Sequence, residues 1–229
     1  MVRMTRTAIV TGAGQGFGLA LTVALARRGT TVVACGRDAR RLRGALDGVP
    51  GVAALPGDVT DPGFRTELAA AAGGRLDLLV HNAGELGPSP LPRLADYPLD
   101  ALRRVLETTV LAPLGLTRET LPALRAAGGT VVTLSSDAAV EAYEGWGGYG
   151  AAKAALDHLA AVLGVEEPDL RVYAFDPGDM RTAMHQRAFP GEDISDRPEP
   201  ETVVPALLRL LADRPPSGRY TAADLAVAP

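Results

Sequence analysis

Thr11-Gly12-Ala13-Gly14-Gln15-Gly16-Phe17-Gly18 is a glycine-rich segment that joins the β-branched run 7–10 to a helical pattern beginning near Leu19. Glycine allows the backbone to turn tightly and to approach a bound group closely. The free N–H groups at the start of the following helix favour negative charge. The segment therefore predicts a strand–turn–helix unit that binds the pyrophosphate of a dinucleotide, and the alternative is a tight turn with a purely structural role.

The rest of the chain alternates short apolar runs with longer helical patterns. We predict strands at 7–10, 31–35, 52–55, 76–80, 130–134 and 170–175, and helices at 19–28, 40–46, 65–72, 99–124 and 151–163. Strands that are apolar on both faces, joined by helix-length connections, pair in parallel through right-handed crossovers. The sequence therefore predicts an α/β fold, with one domain over 1–229 built as a doubly wound (Rossmann-type) three-layer sandwich whose sheet is mainly parallel.

Two features interrupt this alternation. Pro113 lies inside the fourth helical pattern, where the missing backbone N–H predicts a kink or a local break. The segment 178–200 is rich in proline, glycine and charge and has no clear period, which is typical of a lid or substrate loop.

Composition limits the classes of partner. The chain has 229 residues, 47% of them hydrophobic, and a formal net charge of -4 at pH 7, which disfavours nucleic acid or an anionic membrane as partner and favours a small-molecule substrate. The single cysteine, Cys35, lies in an apolar run and is interpreted as a buried structural thiol. With no signal peptide pattern and no long apolar stretch, we expect a cytoplasmic protein, and no residue grouping has metal-ligand spacing.

The end of the second predicted strand should meet the adenosine ribose of a dinucleotide. An acidic residue there accepts the ribose 2′-OH, whereas Arg37 can bind a 2′-phosphate with its planar guanidinium. Arg37 therefore predicts a preference for NADP(H) over NAD(H). The alternative is a solvated arginine on the first turn of a helix, and the neighbouring Asp38 partly offsets the argument.

Lys153 is the only lysine among 23 basic side chains, and it follows Tyr149 by four residues. Positions i and i+4 are neighbours on a helix, so the two side chains can share one site. A phenol with a pKa of about 10 is a poor acid–base catalyst near neutral pH, and an adjacent ammonium favours its ionised form. We therefore predict that Lys153 lowers the pKa of Tyr149 and also hydrogen-bonds ribose hydroxyls.

The glycine-rich segment, His81-Asn82-Ala83-Gly84, Ser136 and Tyr149-Gly150-Ala151-Ala152-Lys153 occur in an order that resembles the classical short-chain dehydrogenase/reductase family over nearly the whole chain. The resemblance implies that Tyr149 is the catalytic acid or base, that Ser136 holds the substrate oxygen, and that Lys153 assists Tyr149 and contacts the nicotinamide ribose. With the glycine-rich turn and Arg37, the expected cofactor-binding set is Gly12, Gly14, Gln15, Gly16, Phe17, Gly18, Arg37, Asp58, Val59, Asn82, Ala83, Gly84, Lys153, Pro177, Gly178 and Thr182.

Two departures from the family pattern stand out. Thr109 occupies the position of the family's catalytic asparagine, so its hydroxyl either holds a relay water in place of the amide or leaves the activity weak, specialised or lost. After the segment 217–221 the chain ends without a glycine-rich tail, so a homodimer is at least as plausible as a homotetramer. His81 replaces the first asparagine of the commoner four-residue motif and is interpreted as structural.

The substrate side is expected to be apolar and partly aromatic, with ordinary loop packing as the alternative for each residue. Its candidate residues are Tyr143, Trp146, Met180, Met184, His185 and Phe189. His158, beyond Lys153 on the catalytic helix, is interpreted as a surface or packed histidine.

The sequence thus predicts an NADP(H)-dependent oxidoreductase, a ketoreductase in the reductive direction, in which Ser136, Tyr149 and Lys153 act with or without help from Thr109. Two alternatives remain open. One is a non-redox enzyme of the same family, such as a dehydratase, isomerase or epimerase, and the other is a catalytically weak sensor that keeps the dinucleotide site.

Overall fold

The computed structural model describes residues 6–225, and within that range seven strands form one sheet in the order β3-β2-β1-β4-β5-β6-β7. Every neighbouring pair is parallel. The strands are β1 (Thr7–Val10), β2 (Thr31–Gly36), β3 (Val52–Pro56), β4 (Leu78–His81), β5 (Thr130–Leu134), β6 (Arg171–Asp176) and β7 (Gly218–Thr221). The predicted doubly wound, parallel architecture is confirmed.

Helices cover both faces of the sheet. They are α1 (Gly16–Arg27), α2 (Ala39–Leu46), α3 (Pro62–Ala72), α4 (Leu99–Leu106), α5 (Ala112–Ala127), α6 (Gly147–Glu166), α7 (Ala183–Ala188) and α8 (Pro200–Asp213). One apolar core joins α1, α2 and α8 to the sheet through side chains such as Leu21, Leu42 and Leu207. The other core joins α3, α5 and α6 to the opposite face through Leu68, Leu116 and Ala160.

The break predicted in the long fourth helix exists, but it lies before Pro113. A π-helical turn, Glu107–Leu111, separates α4 from α5, and Pro113 lies in the first turn of α5. A first-turn residue has no carbonyl partner inside the helix for its N–H, so proline is tolerated there. The irregularity therefore comes from the wider turn itself, which places Thr108 and Thr109 beside the carboxyl ends of the strands.

Several element bounds differ from the prediction. α1 begins at Gly16 and α6 at Gly147, each earlier than predicted, and β4 is shifted toward its carboxyl end. Neither α8 nor β7 was predicted. The short edge strand β7 is only partly buried and reads Gly-Arg-Tyr-Thr, so it carries little apolar signal.

The segment 178–200 is irregular except for α7, as expected of a loop over the sheet edge. No helix within residues 6–225 is both long and apolar enough to cross a membrane.

Candidate active site

A cleft of about 330 Å³ opens at the carboxyl ends of the central strands, where the chain order reverses between β1 and β4. Its lining residues from the expected set are Gly12, Gly14, Gln15, Gly16, Phe17, Arg37, Asp58, Val59, Asn82, Ala83, Gly84, Tyr149, Lys153, Pro177, Met180, Thr182 and Met184. The structure therefore brings expected residues from six separate stretches of the chain to a single cleft.

The glycine-rich turn packs directly against Asn82. The amide of Asn82 donates to the carbonyl oxygens of Thr11 and Gly12 at 2.9 and 3.0 Å. Gly12 and Gly16 have positive φ angles of 66° and 56°, which favour glycine. A Cβ on Gly18 would overlap the Asn82 amide and lie 2.5 Å from the Gly12 carbonyl oxygen. Gly18 therefore acts by allowing this close packing and does not itself line the cleft.

Two arginines stand at the end of the cleft where the adenosine of a dinucleotide is expected, called the adenosine end below. The Arg37 guanidinium is 61% exposed and lies 3.5 Å from the Glu85 carboxylate. Arg41, which sequence reasoning missed, also lines the cleft and donates to the Gln15 side chain at 2.6 Å. Arg37 lies before the first residue of α2, so helix spacing does not relate the two arginines, and the place of Arg41 in the cleft becomes visible only through its contact with Gln15.

Acidic side chains at this end are held by the backbone of their own turns. Asp38 caps α2, because its carboxylate accepts from the backbone N–H of Arg41 at 2.9 Å. Asp58 accepts from both the N–H and the hydroxyl of Thr60, each at 2.9 Å. These contacts fix the two loops that border the adenosine end.

Tyr149 and Lys153 lie one turn apart on α6 and are both buried in the cleft wall. The Lys153 ammonium donates to the Leu134 carbonyl at 2.5 Å and lies 5.5 Å from the centre of the Tyr149 ring. Ser136 is adjacent and half-buried, and its hydroxyl donates to the Asp137 carboxylate at 2.9 Å. The helix spacing places Tyr149 and Lys153 at one site, as predicted.

Burial is the largest influence on the pKa of Tyr149. Burial raises the pKa of Tyr149, the fields of Asp176, Asp137 and Asp157 raise it further, and only the Ser136 hydroxyl lowers it. The net shift of the Tyr149 pKa is upward because desolvation of the phenolate is its largest cause, and the effect of Lys153 on this pKa stays a prediction. Tyr149 holds its proton at neutral pH.

Burial acts on Lys153 in the opposite sense. It lowers the pKa of Lys153 to about 8, against the fields of Asp157 and Asp176, which raise it. At neutral pH the amine is thus mostly protonated, but its charge depends on those two carboxylates.

Thr109 is fully buried in the π-helical turn, while the neighbouring Thr108 lines the cleft. The Thr109 hydroxyl accepts from the Glu85 N–H at 3.4 Å. A methyl group at Gly84 would lie 4.0 Å from the Thr109 hydroxyl and 3.9 Å from the Lys153 ammonium. Thr109 therefore borders the same backbone position as the lysine.

An apolar cluster lies beside Tyr149. Trp146 packs edge-on against Tyr149, with ring centres 5.7 Å apart, and against Phe189 at 5.9 Å. Met184 packs on the same cluster, and Met180 lines the cleft. These contacts form an apolar surface beside Tyr149.

Besides Gly18, Thr109 and Ser136, the expected residues outside the cleft lining are Tyr143, Trp146, Gly178, His185 and Phe189. Tyr143 is exposed and donates to Asp137 and Glu141, so it faces the outer rim. The His185 ring packs against the Phe189 ring, with ring centres 4.8 Å apart. Trp146 contacts Tyr149, which itself lines the cleft. Gly178 has a positive φ angle in the turn after Pro177. His158 is exposed on α6, in agreement with its interpretation as a surface histidine.

Comparison with known proteins agrees with this geometry. Residues 6–193 match the sequence profile of the family described as short chain dehydrogenase. The chain belongs to that family. It is 33% identical to the uncharacterised oxidoreductase YciK of Escherichia coli, over 91% of this chain and 86% of that protein, and 33% identical to L-xylulose reductase of Bos taurus, over 91% and 90%.

Among solved structures, a short chain dehydrogenase from Escherichia coli CFT073 in complex with NADPH is 31% identical and superposes with a TM-score of 0.88. The alignment covers 95% of this chain and 96% of that one. The resemblance inferred from the sequence motifs is confirmed, and oxidoreductase chemistry at an alcohol or carbonyl carbon is supported for this chain at the level of its family.

Proposed function

We propose that this protein is an NADP(H)-dependent oxidoreductase that transfers a hydride between the nicotinamide and the carbonyl or alcohol carbon of a small, largely apolar substrate. The observation that carries the proposal is that Tyr149 and Lys153 line the same cleft as the glycine-rich turn, with Arg37 and Arg41 at its far end. A cleft lined this way fits a dinucleotide, because the first turn of α1 has no side-chain cap and its backbone N–H groups can bind a pyrophosphate.

When bound, the reduced nicotinamide supplies the hydride that forms the new C–H bond. The hydroxyl of Ser136 orients the substrate oxygen, and Tyr149 gives its proton to that oxygen as the C=O double bond becomes a single bond. The Lys153 ammonium then stabilises the phenolate left on Tyr149. Because the pKa of Tyr149 is raised, the phenol carries the proton that reduction requires at neutral pH.

The choice of NADP(H) rests on charge at the adenosine end. Arg37 and Arg41 offer two guanidinium groups where a 2′-phosphate would lie, and Asp38 is engaged as a helix cap. The similar short chain dehydrogenase from E. coli CFT073 is complexed with NADPH, which adds support.

The test is the oxidation of NADPH by the purified protein across a panel of ketones, aldehydes and quinones, followed by loss of absorbance of the reduced cofactor. Tyr149→Phe is the matched variant, since it removes only the hydroxyl. We expect turnover with at least one apolar carbonyl compound and a loss of at least about a hundredfold in the variant. Equal rates in both proteins would rule out Tyr149 as the acid.

Thr109 favours a second candidate, a protein that binds the dinucleotide with little redox turnover. Its buried hydroxyl stands where the family has an asparagine amide. Tight NADPH binding with no turnover on the panel, together with turnover in Thr109→Asn, would support this candidate.

A further inference from the structure

Arg219, on the edge strand β7, contacts three segments that carry the active site. Its guanidinium donates to the Asp176 carboxylate at 2.7 Å, to the Ser136 carbonyl at 3.1 Å and to the Asp157 carboxylate at 3.3 Å. Asp176 in turn accepts from the Gly178 N–H at 2.9 Å and so holds the turn at the end of β6. One side chain thus links the catalytic serine, the catalytic helix and the turn beside the nicotinamide site.

Asp157 continues the catalytic face of α6. Tyr149, Lys153 and Asp157 are spaced by four residues each, so they lie one above another on the helix. One Asp157 oxygen accepts from the Ser135 hydroxyl at 2.6 Å and from Arg219, whereas the other is buried with no hydrogen-bond partner among residues 6–225. An unpaired carboxylate oxygen next to a buried ammonium keeps its field largely unscreened.

We propose, on the basis of the proposed function, that Arg219, Asp157 and Asp176 form a positioning cluster that sets the charge of the catalytic lysine: the two carboxylates hold Lys153 as an ammonium, and Arg219 limits their combined field while fixing the Ser136 backbone. None of the three reaches the reacting atoms, so they act through Lys153 and Ser136.

The carboxylates of the cluster affect Lys153 and Tyr149 in opposing ways. A buried lysine loses its charge unless carboxylates are near, but the same carboxylates raise the pKa of Tyr149 and so oppose formation of its phenolate. Arg219 offsets part of their charge without contacting the lysine. The charged or titratable groups that act on the pair are Tyr149 and Asp157 from α6, Asp176 from β6, Asp137 from the loop after β5 and Arg219 from β7.

The sequence makes this proposal directly measurable, because Lys153 is the only lysine in the chain. Protein grown with lysine labelled with carbon-13 at Cε gives one side-chain resonance, whose chemical shift reports the charge of Lys153 as pH is raised. No substrate or cofactor is needed. We expect a midpoint near a pKa of about 8 in the wild type.

Two substitutions should move this midpoint in opposite directions. Asp157→Asn removes a negative charge at constant size, so the pKa of Lys153 should fall by about one unit. Arg219→Gln removes the positive charge but keeps donors for the Ser136 carbonyl, so the pKa of Lys153 should rise. A role in packing alone would produce no shift, or shifts of the same sign, and either result would overturn the proposal.

Matched controls come from elsewhere in the chain. The exposed pair Arg209 and Asp213, on α8, allows the same two chemical changes far from the cleft, as Arg209→Gln and Asp213→Asn, and neither should move the lysine resonance. Ser135→Ala removes the hydrogen bond to Asp157 without a change of charge and should shift the midpoint much less than Asp157→Asn. If Arg219→Gln does not fold, the downward shift in Asp157→Asn decides the question alone.

An activity readout separates this proposal from the proposed function. Once a carbonyl substrate is known, the alkaline limb of reductive kcat/KM should move down in Asp157→Asn and up in Arg219→Gln, following the resonance. A protein without reductase activity that shows both resonance shifts would retain the charge cluster and lose only the proposed reaction.

Discussion

At the residue scale, the two arginines of the adenosine end have different restraints. Arg41 is held by Gln15 of the glycine-rich turn, whereas within residues 6–225 the Arg37 guanidinium has only a 3.5 Å contact with Glu85. A ligand phosphate can replace the weak contact of Arg37 at little cost, since exposed ion pairs contribute about 1 kcal/mol or less. Arg41 is already held by Gln15, so its side chain would lose less conformational freedom on binding a phosphate.

We therefore expect Arg37→Ala and Arg41→Ala each to weaken NADPH binding by about tenfold to a hundredfold, with a much smaller effect on NADH, because a guanidinium–phosphate hydrogen bond contributes about 1.5–3 kcal/mol. Isothermal titration with both cofactors measures the difference. Arg43→Ala is the control, since Arg43 is exposed on α2 and does not line the cleft. Equal losses for NADPH and NADH would show that neither arginine reads the 2′-phosphate.

At this scale the spacing of side chains along a helix could be predicted from the sequence. The combined effect of burial and nearby charges on the pKa of a side chain could not. The interval of four residues between Tyr149 and Lys153 predicted one shared site, and they share it. The direction of the Tyr149 pKa depends on burial and on Asp137, Asp157 and Asp176, whose proximity comes from three different elements. Arg41 and Arg219 were missed because their roles arise only after the chain folds.

At the element scale, the first turn of α1 and the Asn82 loop form one packed unit. Asn82 bonds both carbonyls of the turn, and Gly18 provides the space for its amide. The glycine-rich turn follows β1 and Asn82 follows β4, and these strands are neighbours in the sheet. This packing therefore fixes the position of the turn relative to the loop after β4. The glycine pattern predicted this turn from the sequence. The short polar strand β7 and the start of α6 were not predicted, because the hydrophobic periodicity of their sequences is too weak.

Gly18→Ala should therefore destabilise the protein, because the added methyl overlaps the Asn82 amide and the Gly12 carbonyl, neither of which can move without breaking the turn. We expect a loss of about 1–3 kcal/mol in the free energy of unfolding, with weaker NADPH binding. Urea unfolding measures the first effect and fluorescence titration the second.

The control for this substitution is Gly44→Ala on α2, where a Cβ would meet nothing within 4 Å. Helix propensity alone should raise the free energy of unfolding there by about 0.5–1 kcal/mol. If both variants behaved alike, the close approach at Gly18 would not be the reason that glycine stands at that position.

At the scale of the whole molecule, His81 couples folding to pH. It ends β4 at the centre of the sheet, is buried, and its Nε2 lies 2.8 Å from the Thr117 hydroxyl of α5. Burial lowers the pKa of His81 to about 3, so the folded protein keeps the imidazole neutral where the unfolded chain would protonate it. The structural role that the sequence predicted for His81 agrees with this position. The effect of His81 on stability depends on how deeply the side chain is buried, and the local sequence pattern does not show this.

The depressed pKa fixes the sign of the effect. The stabilisation is fully present above the unfolded pKa of about 6.5 and is lost as pH falls toward the folded value, because the unfolded state binds the proton first. We expect His81 alone to reduce the free energy of unfolding by about 2 kcal/mol between about pH 7 and about pH 5. Urea unfolding across that range should give a steeper decline in the wild type than in His81→Asn, while His158→Asn, at an exposed position, should retain the wild-type slope. Since the comparison is of slopes, a general loss of stability in His81→Asn leaves the test intact, and identical slopes in all three proteins would mean that the folded state protonates His81 as readily as the unfolded chain does.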